Sequence, residues 1–222
     1  MSIPSQEQVT LLTDYDTNST YSRAYQMLYA NISFNWNEGE YKQPAISFMT
    51  PSSYAGQAAV AANIAIVSAQ NDVPTIIVDT DFRTPTLQQR FGVNTNAGLS
   101  DLLAQPTSKS VSDLLCETFI PKLYLLSAGT NTQQGLRVHD LPVLHSVVDE
   151  VRQILARNGS GLIVFNSPAV LAGPDATLLS SIVDQVFLLI VSGYTTRQQA
   201  KQAQEQLQHA HAKLTGAVML DV

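Results

Sequence analysis

The segment Thr50-Pro51-Ser52-Ser53-Tyr54-Ala55-Gly56-Gln57-Ala58-Ala59 stands between a short apolar run, Ala45 to Met49, and an alanine-rich run beginning at Val60. A loop in that setting handles nucleotide phosphates when it reads G-x-x-x-x-G-K-[ST]. Its backbone N–H groups cradle the phosphates, its lysine reaches the β- and γ-phosphates, and its hydroxyl holds Mg²⁺. Only Gly56 of that set is present here. Gln57 stands at the lysine position, Ala58 at the hydroxyl position and Pro51 at the first glycine. Gln57 can donate a hydrogen bond but carries no charge, and neither Ala58 nor Ala59 offers Mg²⁺ an oxygen. The frame for phosphoryl chemistry is there without the groups that perform it.

A second candidate lies about twenty residues on. Pro74-Thr75-Ile76-Ile77-Val78-Asp79-Thr80-Asp81-Phe82-Arg83-Thr84-Pro85 reads as a buried strand ending in two acids. By themselves, acids at such a strand end cap the next turn or helix, and Arg83 could pair with either carboxylate. Gly98-Leu99-Ser100-Asp101-Leu102-Leu103 follows. These strings resemble the bacterial tyrosine kinases (BY-kinases) of capsule and exopolysaccharide assembly, a branch of the P-loop MinD/ParA-like superfamily. That family carries an acidic motif I-D-x-D-x-R-x-P followed by GLSDLL. The resemblance runs from about Tyr21 to Val222. It also takes in Ala61-Ala62-Asn63-Ile64-Ala65, the run Leu162 to Leu171, Asp175-Ala176 and Thr195-Thr196-Arg197.

The resemblance implies roles for particular residues. Asp79 and Asp81 match acids that help hold the Mg²⁺ shell and accept the proton of an incoming tyrosine. Asn166 stands where the Walker B strand ends in Asp, and a neutral amide cannot supply the charge Mg²⁺ prefers. Tyr54 aligns with a glycine that lets backbone approach phosphate, so its ring either stands over or inside the nucleotide place or simply points to solvent from the loop. Tyr54 to Ala59 is therefore a degenerate Walker A loop expected to bind no cofactor, and Asp79, Asp81 and Asn166 form a vestigial metal site expected to be weak. Losing one preorganised electrostatic contact costs about 3 kcal/mol, or roughly 10²–10³ in rate, and three such losses fall together here. Asp175 fits a helix N-cap or a functional acid equally. Mg-ATP binding belongs to the alternative reading, an active tyrosine autokinase or ATPase with an unorthodox site. A further alternative is a MinD/ParA-like positioning adaptor, which the GLSDLL segment disfavours.

The resemblance also bears on assembly. The family's first helix carries E-x-x-R-x-x-R, whose charges join subunits into a ring; the matching positions are Arg23, Gln26 and Tyr29. A closed homo-octameric ring is not expected from these residues. The family's tyrosine-rich C-terminal tail has no counterpart before Val222, and the tyrosines lean to the other end at Tyr15, Tyr21, Tyr25 and Tyr29.

Composition bounds the remaining classes. With 222 residues, 45% of them hydrophobic, the chain can bury one large core. A net charge of −6 and a pI near 5.0 exclude a nonspecific nucleic-acid binder, which needs a basic footprint. Cys116 is the single cysteine, which rules out an intrachain disulfide and suits a reducing compartment. No signal-peptide pattern opens the chain, and Val186 to Val191 is far short of the roughly 20 residues of a membrane helix. His209 and His211 lack the i, i+4 spacing of a zinc pair, and neither G-x-S-x-G nor G-x-G-x-x-G occurs.

The elements that must position these residues follow from periodicity. Residues 1–20 read as a loose polar segment, and 21–222 as one domain. Tyr21, Tyr25, Leu28 and Ile32 lie on one helical face. Further helices are expected over Gln57–Gln70, Leu141–Asn158 and Thr196–Leu214, with a loop over Ser127–Arg137. Short apolar strands are expected at 45–49, 75–79, 122–126, 162–165, 186–191 and 217–220. Unbroken apolar runs suit strands covered on both faces. The fold expected is α/β, three-layer, with a mostly parallel central sheet and helices on both faces, as in P-loop NTPases. The function expected is that of an inactive, regulatory or scaffolding pseudoenzyme. Its expected place is the cytoplasm, recruited by the cytoplasmic end of a polysaccharide co-polymerase membrane protein or by an active homologous kinase.

Overall fold

The computed structural model describes residues 11–14, 16–34, 42–130 and 135–221. Tyr15 and part of the expected 127–137 loop lie outside the described residues. Strands β1 (Ala45–Met49), β2 (Thr75–Asp79), β3 (Leu115–Glu117), β4 (Leu123–Leu126), β5 (Leu162–Asn166), β6 (Gln185–Val191) and β7 (Leu214–Leu220) form one sheet in the order β3-β4-β2-β5-β1-β6-β7. Every pairing is parallel except β3 with β4. All residues of β1, β2 and β5 are buried, as their unbroken apolar runs require.

Side chains alternate between two cores. Ala45, Met49, Ile163 and Phe165 face one side, and Ile46, Phe48, Leu162 and Val164 the other. The second side is covered by α1 (Thr20–Phe34) and α2 (Gln57–Gln70). Every residue of α2 except Gln70 is buried, because α1 covers the face turned away from the sheet. Its small Ala58, Ala61, Ala62 and Ala65 let both neighbours approach closely. The first side carries α4 (Leu99–Ala104), α5 (Val111–Leu114), α6 (Leu141–Ala156), α7 (Asp175–Ser180) and α8 (Arg197–His209); a single turn, α3 (Leu87–Arg90), joins β2 to this part.

Three expectations change. The 1–20 segment is not loose throughout: Leu11 and Leu12 are buried in the α1–α2 core, and the Leu12 N–H donates to buried Asn63 Oδ1 at 2.8 Å. Apolar burial at those two leucines outweighs the polar composition around them. The last helix ends at His209 rather than Leu214, since His211 takes a left-handed φ of 56° and releases Leu214 to start β7. Strand β3 carries too short an apolar pattern to be read from sequence, and pairing with β4 alone defines it.

The GLSDLL string has a structural use. Leu99 N–H and Ser100 N–H donate to the carbonyls of Ser127 and Ala128 at 2.8 and 2.9 Å, which anchors the start of α4 beyond β4. At Gly98 a Cβ would meet Gly129 N at 2.5 Å, so only glycine permits that approach.

Candidate functional site

Strands β1, β2 and β5 end side by side, with Asp79 opposite Asn166 and Phe48 also in register with Asn166. The chain leaves β1 for β2 on one side and later reaches β6 on the other. This is a topological switch point, where open parallel sheets bind ligands beyond their carboxyl ends. The loop at 50–59, Asp79, Asp81 and Asn166 all gather at this edge.

Gln57 is turned inward and is 5% exposed. Its Oε1 accepts the Thr50 N–H at 3.0 Å and also the Thr50 hydroxyl. Its Nε2 donates to the Phe48 carbonyl at 3.3 Å and to the Ser167 carbonyl. One side-chain amide thus ties the end of β1 to the end of β5. Amides suit this because they offer acceptor and donor together, which a lysine does not. The position that reaches for phosphate in a working loop here serves as a buried cross-tie.

Tyr54 fills the space above. A Cβ placed on Gly56 would lie 2.8 Å from Tyr54 Cζ and 2.9 Å from its hydroxyl oxygen. Gly56 has ordinary helical angles, φ −79° and ψ −10°, so a side chain there would press on the tyrosine ring while the backbone itself makes no demand for glycine. Burial pushes the Tyr54 phenol pKa upward, with the nearby Tyr25 adding to it. The ring packs against Tyr194 with centroids 5.8 Å apart, and the Tyr194 hydroxyl donates to the Ser53 carbonyl at 2.7 Å. Tyr194 went unnoticed in the sequence; its place just before Thr195-Thr196-Arg197 was the available signal.

The acids are likewise engaged internally. Asp79, 1% exposed, accepts from Asn166 Nδ2 at 2.8 Å, from Asp81 N–H at 3.2 Å and from Leu87 N–H at 3.3 Å. Burial raises its pKa to about 7, against the lowering effect of those hydrogen bonds. Asp81 accepts from the N–H groups of Arg83 and Thr84 and from the Thr84 hydroxyl at 2.7 Å; it closes the turn after β2. Arg83 does not pair with either of them. It reaches Asp175 at 3.0 Å and the Ala172 carbonyl at 2.9 Å. Asp175 opens α7 without capping it, and also accepts the Leu136 N–H at 2.5 Å.

These residues do not fit Mg-ATP. Gln57 brings no charge and is turned into the protein onto Thr50, Phe48 and Ser167, the Tyr54 ring covers Gly56, and Asn166 donates a hydrogen bond where a metal needs an anionic oxygen. Among the described residues, no group of three or more His, Cys, Asp or Glu side chains gathers in a metal-holding arrangement, and no helix is long and apolar enough to cross a membrane. On α1, Arg23 and Gln26 are exposed, whereas Tyr29 is buried and hydrogen-bonds Ser68.

Comparison with known proteins places the chain. It is 26% identical over 215 residues to the tyrosine-protein kinase YwqD of Bacillus subtilis, covering 97% of this chain and 87% of that one. It matches the crystal structure of the chimerical protein CapA2B2 with a TM-score of 0.76 and 25% identity, covering 95% and 88% of the two chains. It matches the septum site-determining protein MinD of Pyrococcus horikoshii, solved with Mg-ADP, with a TM-score of 0.62 and 19% identity over 80% of this chain and 70% of that one. No protein-family model matches.

Proposed function

We propose that this chain, which belongs with the bacterial tyrosine kinases of the MinD/ParA-like P-loop fold, is a catalytically inactive member that acts by binding. The observation carrying the proposal is the inward Gln57 amide, held by Thr50, Phe48 and Ser167. Phosphoryl transfer depends on positioning plus electrostatic stabilisation of the transferring group, and no cation of the loop faces the place where phosphates would sit. The Asn166–Asp79 hydrogen bond supports the same reading, since it satisfies the strand ends without a metal.

The role proposed is that of a regulatory or scaffolding partner in polysaccharide biosynthesis or export. It would work in the cytoplasm at the inner face of the membrane. The partner proposed is the cytoplasmic end of a polysaccharide co-polymerase membrane protein, or an active kinase of the same fold. A closed homo-octameric ring through α1 is not part of the proposal, because Arg23 replaces an acid and Tyr29 is committed to the core.

A calorimetric titration with Mg-ATP tests this. No binding is expected at micromolar nucleotide, and mass spectrometry after incubation with Mg-ATP should find no phosphotyrosine. A low-micromolar dissociation constant abolished by EDTA, or stoichiometric phosphate on a tyrosine, would establish an active enzyme instead.

A further inference from the structure

A cleft of about 300 Å³ lies between α4, the turn after β2 and the segment leading into α6. Phe82, Leu103 and Ala104 supply its apolar lining, and Arg137, His139 and Asp140 most of its polar lining. None of these belongs to the site around Gln57, Asp79 and Asn166.

Two contacts hold the polar side of the cleft in place. The Leu136 N–H donates to buried Asp175 at 2.5 Å, and a Cβ on Gly135 would collide with the same carboxylate, so glycine lets the chain pass close to the start of α7. The Arg137 N–H then donates to Asp140 Oδ2 at 2.8 Å, which fixes a carboxylate whose side chain is only 12% exposed. Its Oδ1 accepts no hydrogen bond among the described residues, and His139 Nε2 stands 3.6 Å from it. The Arg137 guanidinium is exposed and forms no ion pair among the described residues.

This donor set selects a class of ligand. The Asp140 carboxylate disfavours an anion, the Arg137 guanidinium disfavours a cation, and a single carboxylate is too little for a metal ion. Hydroxyl groups suit both at once, since each donates and accepts, and hydrogen bonds to charged partners are the stronger kind. The imidazole of His139, in its neutral form, adds one donor and one acceptor. We propose that this cleft binds a neutral pyranose, with ring hydroxyls on Arg137 and Asp140 and a C–H face against Leu103 and Ala104. Its volume stands at the lower end of the roughly 300–1,000 Å³ of ligand sites, room for one sugar ring and not for a sugar nucleotide. Such a site rests on the polysaccharide role proposed above and adds a ligand class to it. Mg-ATP binding would overturn the inactive reading and leave the cleft untouched, so the two can fail separately.

Titration of the isotope-labelled full chain with the methyl pyranosides of glucose, galactose and N-acetylglucosamine tests it, read from amide shifts in heteronuclear NMR spectra. At least one should bind with a dissociation constant of about 1 mM, the strength of a ligand this small, and move the amides of Leu103, Ala104 and His139. Asp140→Asn keeps an oxygen for the Arg137 N–H but puts a donor where Oδ1 would accept. It and Arg137→Gln should each weaken binding at least about tenfold, the loss of one hydrogen bond to a charged group. Ala104→Trp, at the exposed end of α4, should fill the cleft and abolish binding. The same spectra report whether each variant is folded. A free sugar bound no tighter than its methyl glycoside supports a glycan end as the ligand; one bound over about tenfold tighter supports a soluble sugar. No shift at about 20 mM sugar, shifts only elsewhere in the chain, or binding indifferent to all of these variants would overturn the proposal. So would inorganic phosphate displacing the sugar at equal concentration, or UDP-glucose binding over about tenfold tighter than methyl glucoside, which would mark an anion or a nucleotide site.

Discussion

The Tyr54 ring occupies the volume that Gly56 leaves by having no side chain: a Cβ on Gly56 would come 2.8 Å from Tyr54 Cζ. A glycine position that in a working phosphate loop gives access to the backbone is here closed by a residue of the same loop. Because Gly56 adopts helical angles, alanine there is wrong only on account of the tyrosine. Gly56→Ala should destabilise the fold by about 1–3 kcal/mol through overpacking. In a Tyr54→Ala background the same change should be neutral or stabilising, since glycine is the poorer helix residue. Urea denaturation of the four proteins measures the coupling, and simple additivity would refute the contact.

Gln57 offers a second test. Truncation in Gln57→Ala strands the Phe48 and Ser167 carbonyls and the Thr50 N–H in a buried place. Each unsatisfied group costs about 1–3 kcal/mol, so a loss of at least about 2 kcal/mol in unfolding free energy is expected. Gln57→Lys should be no better, because it provides donors but no acceptor for Thr50. A lysine variant as stable as the parent would mean that the side chain escapes toward the loop, and calorimetry with Mg-ATP would then show whether binding returns.

Asp79 makes stability depend on pH. Its folded pKa of about 7 lies above the model-peptide value of 3.8, so the folded state holds an extra proton between those limits. Stability therefore falls as pH rises from about 4 to 7 and levels off above, by at most about 4 kcal/mol at 1.36 kcal/mol per pK unit. Asp79→Asn removes the ionisation. Its denaturation midpoint relative to the parent should rise from pH 5 to pH 8, and an unchanged difference between those two pH values would remove Asp79 as the cause.

Asn166→Asp reverses the change at the end of β5. Two carboxylates would then face each other where an amide now donates at 2.8 Å, and like charges in a buried site disfavour joint ionisation. The variant should be less stable than the parent at pH 8 by about 2 kcal/mol or more, and much closer to it at pH 5. Millimolar Mg²⁺ should raise its thermal midpoint while leaving the parent unmoved. A magnesium response in the parent itself would show that the present residues already hold the ion.

What the amino-acid sequence determined by itself is the frame. The unbroken apolar runs at 45–49, 75–79 and 162–165 placed three buried strands, and the spacing Tyr21, Tyr25, Leu28, Ile32 placed the covering helix. The substitutions at 57, 58 and 166 are plain in the one-dimensional string, because residue type alone sets charge and metal-binding capacity. Periodicity fails where burial is partial or the element is short, as at β3 and at the first three residues of β7, and composition fails where two leucines in a polar stretch find a core.

Only the tertiary structure decided where the side chains go. Gln57 meets Ser167 across 110 residues, Asn166 meets Asp79 across 87 and Arg83 meets Asp175 across 92. These partners are set by strand register and by how the loops beyond the sheet close. Neighbouring residues carry no trace of them, since a side-chain amide or guanidinium takes whichever oxygen the fold brings within reach.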